Sequence, residues 1–232
     1  SEQLSQMQMN MQSSQDQQNL EQLRELIENL LTLSFDQEDL RNDVKELKYG
    51  DPSLKDKSQN QKKLQDDMGL VKDSLDALAN RMFGIQKFVL DESENIESSM
   101  KRSQTFFRNK QTTMINYHQQ EAMTSMNNLA NMLSQAMSDL QSQMKNAMAG
   151  QQMCDKPNGQ KPNMQGIGKQ QQQLNKQMQQ MMKPGQMNSD QLNKMAAQQR
   201  AIRKQLEEAQ QKMKGSNGKP LGDMGKVMED MK

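Results

Sequence analysis

Between Gln61 and Val89, the residues Leu64, Met68, Val71, Leu75, Leu78, Met82, Ile85 and Val89 recur at alternating spacings of four and three. This is a heptad seam, and it commits the stretch to a helix whose apolar stripe has to be covered. At 1.5 Å per residue, a continuous helix of this length runs about 43 Å. A wide globular core is excluded by composition: only 32% of the 232 residues are hydrophobic and 3% aromatic, well below an ordinary globular domain. A disordered tail is not indicated either. Polarity comes mostly from Gln, Asn and Ser, and the net charge is only +1, without the charge excess typical of unfolded chains.

A second seam precedes the first. From Asp16 to Lys48 the residues Leu23, Leu26, Leu30, Leu33, Gln37, Leu40, Val44 and Leu47 keep the same rhythm, and Leu20, Ile27 and Leu31 widen the stripe. A stripe this wide is expected of a helix that packs on more than one neighbour. Tyr49-Gly50-Asp51-Pro52 separates the two seams. Gly50 suits a helix C-terminus, Asp51 an N-cap and Pro52 a first turn, so an antiparallel hairpin is expected. The return arm is read as one helix over Gln61 to Val89, with Gly84 marking a bend. Residues 1–15 read as a frayed segment or the end of a helix begun upstream.

Past Val89 the same phase meets Glu92, Ile96, Ser99, Ser103, Phe106 and Lys110 and decays. A new seam starts out of phase at Met123, Met126, Ala130, Leu133, Met137, Leu140, Met144 and Ala147. The shift predicts a turn, kink or looser helix within 91–113, with Asp91 and Ser93 as caps and Phe106 and Phe107 plugging the bundle end. Many of the 24 Met residues stand where Leu is usual, and unbranched Met gives adaptable, less selective seams. Gly and Pro mark residues 150–168 as a linker. Helices are expected at about 169–182 and 190–214, the second capped by Ser189, and Gly215 to Gly222 breaks the chain before a last pattern of Leu221, Met224, Met228 and Met231.

No constellation for catalysis, cofactor or metal emerges. His118 is the only histidine, which excludes His-paired triads and histidine metal clusters within this chain. Cys154 is the only cysteine, so it has no intramolecular disulfide partner and reads as an incidental thiol. The pairs Asp66 and Asp67, Asp91 and Glu92, and Glu207 and Glu208 are adjacent on helices, point in different directions and read as solvated charges rather than acid/base dyads. Met7, Met9 and Met11 form M-x-M-x-M, but alternate residues do not share a helix face, so compositional bias is preferred to a Cu(I) site. From Gln165 to Lys214 basic residues outnumber acidic ones. Without aromatic platforms this reads as a solvated face, and no nucleic-acid partner is expected.

The strings LIENLLTLSFDQEDL (Leu26 to Leu40), DSLDAL (Asp73 to Leu78), MNNLA (Met126 to Ala130) and MAAQQRAIR (Met195 to Arg203) resemble the C-terminal half of a family of long, uncharacterised bacterial envelope proteins. In that family N-terminal transmembrane helices precede a region that becomes Gln- and Met-rich. The resemblance covers most of the chain and implies a membrane-anchored relative on the periplasmic side, with no catalytic residues to carry over. The chain opens on Ser1 and ends at Lys232 inside a periodic pattern, so it is expected to be a piece of a longer protein whose anchor lies outside it.

The fold expected is all-α: a long antiparallel hairpin or three-helix coiled-coil-like bundle over 16–149, a linker over 150–168, a mobile Gln/Met-rich helical tail over 169–214 and a truncated or disordered end over 215–232. The function expected is a non-enzymatic scaffold that docks on protein partners or on itself through Leu20, Ile27, Leu31, Met123, Met126, Leu133, Met137, Leu140 and Met144. A holdase-like chaperone using Met-rich faces is the alternative, and nucleic-acid binding through the basic tail a more distant one.

Overall fold

The computed structural model of the chain describes residues 2–149, 164–181 and 189–217. Every regular element among them is helical: α1 (Glu2–Lys45), α2 (Leu54–Ala79), α3 (Gln86–Arg108), α4 (Thr112–Ala149), α5 (Met164–Met181) and α6 (Ser189–Asn217), with a single 3₁₀ turn at Phe83–Ile85. The first four form a closed up-down-up-down ring in which α1 meets α2 and α4, and α3 meets α2 and α4. Short connections force each helix to return along its predecessor.

The first reversal follows Lys45. Gly50 takes the left-handed conformation at φ 80°, which is open to glycine because it has no Cβ. Asp51 does not cap α2 directly. Its carboxylate accepts the Ser53 backbone N–H at 2.9 Å and the Ser53 hydroxyl at 2.6 Å, and α2 starts at Leu54 behind Ser53. Those two hydrogen bonds hold the Asp51 carboxyl below its usual range.

The second reversal corrects the reading of Gln61 to Val89 as one helix. The chain leaves α2 at Asn80, whose N–H bonds back to Asp76 and Leu78 carbonyls, and re-enters a helix at Gln86. Ser58 Oγ donating to Gln104 Oε1 at 3.0 Å, and Ser103 Oγ to Gln61 Oε1 at 3.4 Å, show the two arms antiparallel. Leu64 to Leu78 therefore belong to one arm, and Ile85 and Val89 to the turn and the next.

Helix α3 then runs straight through Asp91 and Ser93, which are not caps. Its inward stripe is Val89, Ser93, Ile96, Ser99, Met100, Ser103 and Phe107, all buried. The seam that loses its apolar character in sequence is still an interior seam, made partly of serine. The turn expected within 91–113 falls at its end. Lys110 N–H bonds the Phe107 carbonyl and Gln111 N–H the Phe106 carbonyl, both at 3.1 Å, with Lys110 at φ 56°. This is a Schellman C-terminus in which lysine occupies the place glycine usually takes.

Helix α4 is the central element, touching α1, α3, α5 and α6. Gln171 Nε2 donating to the Thr124 carbonyl places α5 on α4, while Arg203 reaching Glu38 and Gln210 bonding the Arg24 carbonyl place α6 against α1. The segment expected as a mobile tail is thus a helical pair laid over the α1/α4 seam. Helix α5 begins at Met164 inside the expected linker, and α6 continues through Gly215 to Asn217. Cys154, Pro184, Gly185 and the pattern from Leu221 to Met231 lie outside the described residues.

Candidate functional site

The nine apolar residues expected to face outside partners occupy this chain's own interior. Leu20, Ile27, Leu31, Met123, Met126, Leu133, Met137 and Leu140 are buried, and Met144 is half-buried against the same core. The reason is topological. The wide stripe on α1 is covered by α2 and α4 together, and the phase-shifted Met seam of α4 is covered by four neighbours. Sequence periodicity counts apolar faces but not the helices available to cover them.

The bundle interior is unusually polar and is organised around glutamine. Gln37 and Gln61 exchange side-chain hydrogen bonds at 3.0 and 2.7 Å, and Gln61 Oε1 also accepts from Gln119 Nε2 at 2.9 Å. A single amide layer therefore ties α1, α2 and α4 together, with Ser103 of α3 at its edge. An amide offers two donors and an acceptor, so it satisfies several neighbours at once, whereas a slipped helix would leave each of them buried without a partner.

One layer further along, Glu38 of α1 binds both Arg203 and Arg200 of α6, the latter at 3.0 Å. Arg203 is fully buried: its Nη1 donates to Ser34 Oγ at 3.1 Å, and its guanidinium lies 4.6 Å from the centre of the Phe35 ring. Burial lowers the Arg203 guanidinium to about 10, with Glu38 opposing the shift. It stays charged at neutral pH. Gln199 lies beside this pair, with its side-chain oxygen accepting from Gln120 and its backbone carbonyl from Asn127. Arg203, counted in sequence within a solvated basic face, thus serves an internal ion pair, while Arg200 reaches the same carboxylate from the surface.

Two features lie outside the core. The start of α1 carries no core side chain among the described ones. Every described side chain from Gln3 to Gln18 is exposed except the half-buried Asp16, and Met7 and Met11 are 66% and 70% accessible. This arm projects about 25 Å. Met7 and Met11 are four residues apart and share a face.

The second is a groove between α3 and α4, about 350 Å³ in volume and edged by Asn175 of α5. Its walls carry Glu92, Asn95, Ser99 and Arg102 from α3, and Glu121, Ser125 and Asn128 from α4. Desolvation pushes the Glu92 carboxyl above its ordinary range, against hydrogen bonds from Ser125, Asn128 and Asn95. At the other end Glu121 is held by His118 Nδ1 at 2.5 Å, and the His118 ring stacks on Phe106 with centres 5.2 Å apart. His118 is thus a packed helix residue bound to a carboxylate. Sequence reading missed the groove because its residues are ordinary polar types spread over two helices.

No group of three or more His, Cys, Asp or Glu side chains among the described residues is arranged to hold a metal ion. No helix among them is long and apolar enough to cross a membrane. Comparison of the chain with protein families, curated proteins and solved structures finds no match.

Proposed function

We propose that this chain is a non-enzymatic helical interaction module, the soluble-facing part of a larger membrane-anchored envelope protein, and that the α1 arm docks it onto helical subunits of an assembly. The observation that carries this reading is the arm itself. A 44-residue helix continues well past the bundle that buries it, with Met7 and Met11 exposed together on one stripe. An isolated segment of this length is marginal as a helix in water; growing out of the packed part of α1, it is nucleated before any partner arrives. Glu2 and Asp16 are its only charged residues, so a partner helix would meet it through Met packing and amide hydrogen bonds. The resemblance of Leu26 to Leu40 to an envelope family supports the periplasmic placement.

Photo-crosslinkers placed singly at Met7, Met11, Met9 and Ser13 of the full-length parent test this. Crosslinks from Met7 and Met11 to one helical segment, identified by mass spectrometry, are expected, with little from Met9 and Ser13. Equal crosslinking at all four positions, or none, would sink the reading. The holdase alternative has lost ground, since Met123, Met126 and Met137 are buried. The basic-tail alternative has lost Arg200 and Arg203 to Glu38.

A further inference from the structure

We infer that the groove between α3 and α4 binds a short peptide with free termini, its ammonium at Glu92 and its carboxylate at Arg102. Glu92, Asn95, Ser99 and Arg102 stand at i, i+3, i+7 and i+10 and share one face of α3. Ten residues of helix separate the two charged ends by about 15 Å along the axis. An extended peptide spans about 3.3–3.6 Å per residue, so three or four residues bridge them once both side chains lean inward.

The charges at the two ends differ in sign and in what they lack. Glu92 is half-buried, held by hydroxyl and amide donors, and makes no ion pair among the described residues; an ammonium would supply the missing counter-charge. Arg102 is exposed and makes no hydrogen bond or ion pair among the described residues. The neighbouring carboxylate, Glu121, is already engaged by His118. A guanidinium with five donors in a planar fork suits a terminal carboxylate.

Between the ends the lining matches a backbone rather than a side chain or a hydrocarbon. Beyond their bonds to Glu92, Asn95 and Asn128 each keep a side-chain carbonyl oxygen to accept a peptide N–H, and Asn175, whose Oδ1 accepts from Gln171, keeps its amide N–H groups to donate to a peptide C=O. Ser99 and Ser125 are small, which leaves the groove open to the main chain. The volume falls within the range of small-ligand sites.

Calorimetric titration of the whole chain with tri-alanine, N-acetyl-tri-alanine, tri-alanine amide and 1,4-diaminobutane tests the inference. Tri-alanine is expected to bind, and acetylation or amidation to weaken it about tenfold each, as loss of a charge-assisted contact does. In Glu92→Gln the acetyl group should no longer matter, and in Arg102→Gln the amide should no longer matter. Arg102 is exposed, so the second variant reads the site even if the first disturbs packing. Equal binding of free and blocked peptides, preference for the diamine, or no peptide heat up to about 10 mM with a folded protein would each overturn the assignment.

Discussion

Arg203 is the residue on which the docking of α6 turns. A guanidinium without solvent is tolerated because Glu38 neutralises it and Ser34 accepts one of its donors, while its Nε has no hydrogen-bond partner among the described residues. Removing one member of a buried pair leaves an uncompensated charge, whereas replacing both with apolar groups of similar size can be neutral. Glu38→Gln is therefore expected to cost about 3–5 kcal/mol in urea denaturation, and the double change Glu38→Met with Arg203→Met to recover most of it. Glu92 gives a different signature. Its folded carboxyl titrates above the unfolded value of about 4.3, so the native state holds the proton longer. Its contribution is full below that value and is lost as pH rises through the raised folded one. Thermal melts should show a decline over this window that Glu92→Gln lacks. Neither site could be read from the sequence. Glu38 and Arg203 are 165 positions apart, and each looks like an ordinary surface charge until the fold places them together.

The helices, by contrast, were largely legible. Apolar spacing identified the packed parts of α1, α2 and α4, and Gly50 marked the first reversal. The second reversal was legible only as a bend at Gly84, because Leu78, Met82, Ile85 and Val89 keep the heptad count while the chain turns back on itself. Spacing reports which residues face inward but not the direction in which the chain runs. The inward stripe of α3 was hidden for another reason: Ser93, Ser99 and Ser103 are buried there, and a polar seam looks like a solvated one. Local backbone chemistry gives a test at this scale. Gly69 lies inside α2 with nothing within 4 Å of an added Cβ, so Gly69→Ala should stabilise by about 0.5–1 kcal/mol. Lys110 holds a left-handed conformation at φ 56°, and Lys110→Gly should gain about 1 kcal/mol. Both are measured as shifts in denaturation midpoint at unchanged slope.

Across the whole molecule, stability is layered. The ring of α1 to α4 is closed on itself, while α5 and α6 rest on its outer seam, where Ile167, Leu174, Leu192, Ile202 and Leu206 join the core beside amide and ion-pair contacts. Such contacts contribute little net stability once the desolvation of their groups is counted. Native-state hydrogen exchange is expected to open α6 before α4, with α6 protection falling further in Glu38→Gln; equal protection of the two helices would show a single cooperative unit. The placement of the tyrosines turns the same architecture into its own optical gauge. The chain has two tyrosines and no tryptophan. Tyr49, between α1 and α2, is 81% accessible, and Tyr117, near the start of α4, is 3% accessible. Iodide in solution should therefore quench emission from the first ring and spare the second, and tetranitromethane should nitrate one ring in the native protein. A second nitration would time the opening of the bundle, with no label added to the molecule.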